Sequence, residues 1–260
     1  MIQTLHTAAT ALEAQSANLE RISNDLANVN TDGFKRGRTE FSELMYKTDR
    51  EPGTQVGATS QTPVGIQTGL GVKVGASHRI FEQGPSKQTG NPMDMMIEGR
   101  GFIPVQRTNG EVAYTRAGAF HRDAQGRMML ANGSQLVPNV VLPANALAIT
   151  IAPNGEIKAV LPNAEETTLG QIQLATFVNE QGLSSSGDGL YRPTQASGAP
   201  IQSIPGEDGV GQVAQGALEA SNVNVASSMV EMIQTQRAYE MGTKLLGIAD
   251  QMLNATVNLK

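Results

Sequence analysis

The chain of 260 residues has no cysteine and no tryptophan, and only 6 Phe and 4 Tyr. Without cysteine there is no disulfide framework and no thiolate metal site. With aromatics at 4% and hydrophobic residues at 39%, any core is modest. No stretch approaches the ~20 apolar residues of a membrane span. Gln3, Thr4, His6 and Thr7 interrupt the opening residues, where a secretory signal needs an unbroken apolar core. The net charge is −5 with no long run of one sign, which argues against a nucleic-acid partner. His6, His78 and His121 fall in different expected elements, so no shared ligand or triad role is assigned to them. Met93, Met95 and Met96 read as core or interface filler, because thioethers alone suit few metals. Asp123-Ala124-Gln125-Gly126 lacks the further ligand positions of a calcium loop and reads as a hairpin turn. Gly209-Val210-Gly211 lacks the strand and third glycine of a dinucleotide site, and no Gly-x-Ser-x-Gly elbow occurs. No catalytic residue, cofactor or metal site is expected.

What the chain does have is one pattern repeated at its two ends. Ile2, Leu5, Ala9, Leu12, Ser16, Leu19, Ser23 and Leu26 step by three and four residues, as do Met229, Met232, Gln236, Tyr239, Thr243, Leu246, Asp250, Leu253 and Val257. Such stepping lays each set along one seam of a helix, the arrangement two helices need to pack lengthwise. The first helix is expected over Ile2–Val29 and the last over Val225–Leu259, with Ser221, Asn222 or Asn224 as its cap. Gly33 is expected to close the first helix, with Lys35, Arg36 and Arg38 as charges at its negative end. Gln236, Thr243 and Asp250 form a polar row that either meets water or sets register. Chain ends are usually the least ordered part of a protein; here they are the most patterned, which points to assembly rather than catalysis.

Between the ends the period changes to two. Candidate strands over 101–106, 112–116, 127–130, 148–151, 157–160 and 171–177 are separated by Asn109-Gly110, Gln125-Gly126, Asn132-Gly133 and Asn154-Gly155. Glycine after a polar residue between short apolar runs is a strong hairpin signal. The expected fold class is α+β: long terminal helices paired in a coiled-coil-like bundle, with an antiparallel β domain and an extended arm inserted. The expected divisions are 1–33 plus 222–260 (helical), 34–93 (connector, with the arm at 47–71), 94–181 (β domain) and 182–221 (return). The arm is polar and turn-rich, with Tyr46 at its base, then Arg50, Pro52, Gly53, Pro63, Gly65, Gly69 and Gly71, and reads as a loop or an extended projection.

Ile22-Ser23-Asn24-Asp25-Leu26-Ala27-Asn28-Val29-Asn30-Thr31-Asp32-Gly33-Phe34-Lys35 resembles the N-terminal signature of the flagellar rod, hook and hook-associated proteins. Ala217 to Asn224, containing Ser221, Asn222 and Val223, and then Met229 to Glu240, containing Gln236, Arg237, Ala238 and Tyr239, resemble that family's C-terminal signature. Ile97 to Phe102 and Ala113 to Phe120 are similar to the start of its β domain. The arm resembles one carried by distal rod members and absent from ordinary hook proteins. Asp25 and Ile103 depart from residues common in the family.

The resemblance implies a structural subunit, not an enzyme, that self-assembles into the hollow helical distal rod and transmits torque from motor to hook. It implies export through the flagellar type III apparatus without a cleaved signal, with Phe41 and Met45 as an export signal. It further implies proximal rod proteins below, the hook protein above, peptidoglycan- and outer-membrane-ring bushing proteins around, a transient rod-capping protein, and a place in the basal body between periplasm and outer membrane. No nucleic acid, membrane insertion or cofactor is implied. Both ends are expected to be disordered in the free monomer and to become helical against neighbouring subunits. Another axial protein of the family (proximal rod or hook) is the nearest alternative, and a secreted peptidoglycan hydrolase a distant one.

Overall fold

The computed structural model describes residues 2–53, 63–162 and 166–258; residues 54–62 of the expected arm and the side chains of Ile2, Leu253 and Val257 lie outside the described set. The chain forms two compact units, one of Met1–Leu26, Gly37–His78 and Val225–Lys260, the other of Ala27–Arg36 and Arg79–Asn224.

The first unit holds α1 (Ile2–Ala27), the strands β1 (Gly37–Glu43), β2 (Tyr46–Arg50), β3 (Ile66–Gly69) and β4 (Val72–Arg79), and the last helix (Val225–Asn258). β1 pairs with β4. β2 and β3 form an antiparallel ribbon with Tyr46 opposite Gly69 and Arg50 opposite Ile66. These residues at the base of the expected arm are therefore paired strand, which a composition read as a loop or an extended projection did not specify. Backbone pairing requires no apolar side chains, and every residue of β2 is exposed. Gly71 joins the ribbon to β4 at φ +116, and a Cβ there would lie 2.2 Å from Thr10 Oγ1 on α1. Only glycine meets both demands.

Over the described residues of Arg79–Asn224 the second unit is all β apart from one turn of 3₁₀ helix at Glu180–Gly182. In chain order its strands are β5 (Ser86–Gln88), β6 (Met95–Glu98), β7 (Ile103–Gln106), β8 (Val112–Thr115), β9 (Phe120–Arg122), β10 (Met128–Leu130) and β11 (Gln135–Leu136). They continue as β12 (Ala148–Ile151), β13 (Glu156–Val160), β14 (Glu166–Gln171), β15 (Leu174–Thr176), β16 (Ser184–Ser185) and β17 (Leu190–Arg192). The last are β18 (Ile201–Ser203), β19 (Gln212–Gln215) and β20 (Ala217–Glu219). A seven-stranded sheet runs β16-β17-β8-β7-β11-β10-β9, and β12-β13-β14 form a second sheet. The glycines of the four expected hairpin turns, Gly110, Gly126, Gly133 and Gly155, all have positive φ. Strands continue through 184–219, so the stretch expected as a return connector is part of this unit. Two of its strands close the unit: β19 pairs with β6, and β20 with β5.

The core of this unit is assembled from short strands because each contributes only two or three inward residues. Ile97, Ile103, Val105, Phe120, Met128, Leu136, Ile157, Ile172 and Leu174 are buried together, with Met95 among them. Phe102, Tyr114, Phe177 and Tyr191 form a second cluster, with edge-on ring contacts of 5.0–5.9 Å centroid to centroid. Edge-on packing sets ring hydrogens against a negative π face.

Candidate assembly site

The patterned ends of the chain come together in both units, in different ways. In the helical unit, we label the last helix, Val225–Asn258, α2. Asn18 on α1 donates to Thr235 Oγ1 on α2 at 3.2 Å. Arg21 pairs with Glu231 on α2 and with Asp25 Oδ2 at 2.9 Å. Asp25 Oδ1 in turn accepts the Gly37 amide at 3.0 Å, tying the end of α1 to the start of β1. A Cβ at Gly242 would lie 2.7 Å from Leu12 Cδ2, so α2 meets α1 through a residue with no side chain.

The row of α2 that is buried or half-buried is Ser228, Met232, Thr235, Ala238, Gly242, Leu246 and Ala249. It is offset from the seam the sequence indicated. Met232 and Leu246 lie on it, whereas Met229, Gln236, Tyr239, Thr243 and Asp250 are exposed. The reason is steric: two helices approach closely through small residues, so the small face turns inward. Apart from Met232 and Leu246, the bulky apolar residues are left outside. Met229, Val230, Ile233, Met241, Leu245, Ile248 and Met252 are each between 47% and 61% exposed. On α1, Leu5, Leu12, Ser16, Leu19 and Leu26 are half-buried, while Ala9 and Ser23 are exposed and Ala14, Ile22 and Asp25 are buried. Toward one end of the pair an apolar groove of about 580 Å³ opens, lined by Leu5, Ala8, Ala11, Leu245, Ile248 and Met252. Thr68 of β3 stands at its margin.

Of the export-signal residues, Phe41 lies on β1 and is 42% exposed, and Met45 is 83% exposed, so this segment is not a core turn. Arg50, Pro52, Gly53, Pro63 and Gly69 are exposed, and Gly65 and Gly71 are half-buried.

In the β unit, the flanks of the two terminal motifs form a clasp. α1 stops at Ala27, and a turn follows in which Thr31 N donates to Asn28 O. Gly33 does not end the helix. Its φ of +74 and the backbone of Arg116 and Ala117, 2.6–2.9 Å from where a Cβ would stand, require glycine for close approach to another segment. Gly33 N donates to Glu219 O at 2.7 Å. Lys35 is also not a solvated helix-end charge: its side chain is fully buried. Its ammonium donates to Glu219 Oε1 at 2.5 Å and to Glu82 O at 2.6 Å. Glu219 Oε1 also accepts the Gly84 amide at 2.9 Å, and its Oε2 faces Arg116 Nη1 at 3.4 Å. Arg116 lies over the Phe102 ring at 5.3 Å, and its Nε has no hydrogen-bond partner. Asn222 finishes the clasp, accepting from Arg36 N at 2.7 Å and donating to Ile80 O at 2.9 Å. Ser221 and Val223 are buried beside it, and Phe34 packs under the Arg79 guanidinium. Asn24, Ala27 and Asn30 are exposed, and Asn28 is half-buried. Arg237 is exposed on α2.

Sequence reasoning missed Glu219 as the shared partner of Lys35 and Arg116. No local signal marks it, since Lys35 and Glu219 stand 184 positions apart. Among the described residues no group of His, Asp and Glu is arranged to hold a metal ion, and no helix is long and apolar enough to cross a membrane.

Three family models match this chain. One described as "Flagella basal body rod protein" matches residues 5–35, "Flagellar hook protein FlgE/F/G D1 domain" matches 96–159, and "Flagellar basal body rod FlgEFG protein C-terminal" matches 214–259. The flagellar basal-body rod protein FlgG of Caulobacter vibrioides is 45% identical over 261 residues, covering 100% of both chains. The protein of the same name from Bacillus subtilis is 32% identical over 265 residues, again 100% of both. The flagellar hook-basal body complex protein FlhP of Bacillus subtilis is 28% identical over 267 residues, 97% of each chain. A crystal structure of the Helicobacter pylori hook protein FlgE2 aligns with a TM-score of 0.26 at 15% identity, over 71% of this chain and 43% of that one, too distant to bear on the fold. The chain belongs to the flagellar basal-body rod protein family and is a structural rod subunit, not an enzyme.

Proposed function

We propose that this subunit polymerises into the hollow, torque-transmitting distal rod by receiving a neighbouring copy's terminal helix in the groove between α1 and α2. The observation that carries this is the uneven polarity of α2, with a mostly small-residue row turned toward α1 and seven bulky apolar residues toward solvent. An apolar row of this length on a free surface marks an interaction site. The occupant is a second copy, because the chain belongs to a family of rod subunits and one patch meeting a different patch on the next copy generates an open helical tube. Leu245, Ile248 and Met252 form one wall of that contact, and Leu5, Ala8 and Ala11 the other. The α1–α2 pair acts as a coiled-coil-like unit whose helices order fully on assembly. Gln236, Thr243 and Asp250 stay polar for register or for the channel wall.

The paired strands β2 and β3 form the base of an arm that bridges neighbouring subunits and stiffens the shaft. Phe41 and Met45 serve as the export signal by which the chain leaves the cytoplasm through the flagellar type III apparatus. The rod joins proximal rod proteins to the hook within the peptidoglycan and outer-membrane rings, built beneath a capping protein.

Because the chain has no cysteine, Ile248→Cys carries a single polarity-sensitive fluorophore cleanly. Emission is expected to be water-like in the free subunit and blue-shifted in pelleted polymer. Water-like emission from the polymer overturns the docking scheme.

A further inference from the structure

Lys35 is among the largest fully buried side chains of the described residues, and no role in assembly accounts for it. It sits in a cluster with two cations, Lys35 and Arg116, and one carboxylate, Glu219, with side-chain exposures of 0%, 2% and 0%. Four separate stretches supply this cluster: the segment after α1, the 82–84 backbone, the loop after β8, and β20. We propose that the cluster is a completion lock, in which the segment after α1 docks on the β unit only once Glu219 on the last strand has arrived to neutralise the cations it brings inside.

The topology sets the order of events. β20 pairs with β5, and β19 with β6, so strands from early in the β unit wait for partners from its end. A chain that emerges amino end first presents Lys35 and Arg116 long before residue 219. Closing at that stage would bury two cations with no carboxylate at hydrogen-bond distance, a cost that ordinary packing does not cover. Once β20 is laid down, Glu219 satisfies Lys35, accepts from Gly84 and faces Arg116, while its carbonyl takes the Gly33 amide. The same residue supplies the counter-charge and the backbone anchor, so docking and completion coincide. The surplus cation explains why Arg116 Nε is left without a hydrogen bond and why its guanidinium rests on Phe102.

A lock and a simple packing contact differ in how their substitutions combine. In the full chain, Glu219→Gln keeps shape and strands both cations. Amide exchange at Gly33, Gly84 and Ala220 is expected to accelerate at least a hundredfold. Adding Lys35→Met and Arg116→Met removes the stranded charges and should recover at least tenfold of that loss, although three native groups are now gone. If Glu219→Gln fails to fold, folding of the triple variant gives the same answer. Unchanged exchange in Glu219→Gln overturns the proposal, as does a triple variant that exchanges as fast as the single one, or that also fails to fold.

Discussion

Replacing Leu245 and Ile248 together with glutamine separates assembly from folding. Leu245 is 59% exposed and Ile248 53% exposed in the subunit. Fully burying such a side chain contributes about 2 kcal/mol, so covering the exposed share of both contributes about 2 kcal/mol per contact. Losing that raises the critical concentration for polymerisation about 30-fold. Two amides buried without partners add about 1–3 kcal/mol each to the penalty. Glutamine is a good helix former, so the backbone of α2 is not challenged. The β unit contains neither residue, and its melting is expected to be unchanged. A pelleting assay over a concentration series measures the threshold, and soft-agar swimming reads the same defect in cells. A double variant that pellets at the wild-type threshold and swims normally refutes the reasoning. So does a threshold shift accompanied by unfolding of the β unit, because the side chains would then be serving the fold.

Two further expectations concern pH and the arm. Burial holds the Lys35 ammonium below its ordinary 10.5 despite Glu219 beside it; Arg116 pushes the same way and Glu180 opposes. The unfolded chain therefore keeps that proton longer, and stability rises as pH climbs from the depressed folded value toward 10.5. Burial pushes the Tyr191 hydroxyl from 10.0 up to about 12, against the nearby Arg79 and Arg116 cations and with Glu219. Its contribution is intact below pH 10 and is lost as pH rises from there through about 12. Urea melts across this range should show the climb vanish in Lys35→Met and the later fall soften in Tyr191→Phe. Removing residues 47–70 should leave a subunit that is exported but builds a curved or flexible shaft, visible by electron microscopy of isolated basal bodies; straight, rigid shafts would deny the arm its bridging role.

Periodicity and turn chemistry are local, and what they encode was legible without coordinates. The three-four stepping placed α1 over Ile2–Ala27 and α2 over Val225–Asn258, within two residues of the expected ends. The glycine turns at Gly110, Gly126, Gly133 and Gly155 and the alternation between them marked out an antiparallel β unit. The family signatures at both ends identified a rod subunit.

Tertiary structure decided the rest. Which face of α2 turns toward α1 was not readable from hydrophobicity, because close approach at Gly242 and Leu12 selects small residues and leaves the bulky row outside. That Tyr46–Arg50 and Ile66–Gly69 form a ribbon followed from backbone pairing between mostly polar, mostly exposed residues, which leaves little apolar trace. The burial of Lys35 was the least accessible feature. In sequence it is one of three basic residues after a helix, and its environment depends on a carboxylate 184 positions away. A buried charge is tolerated only where the fold delivers a partner at hydrogen-bond distance, and a partner that remote is brought there by strand topology alone.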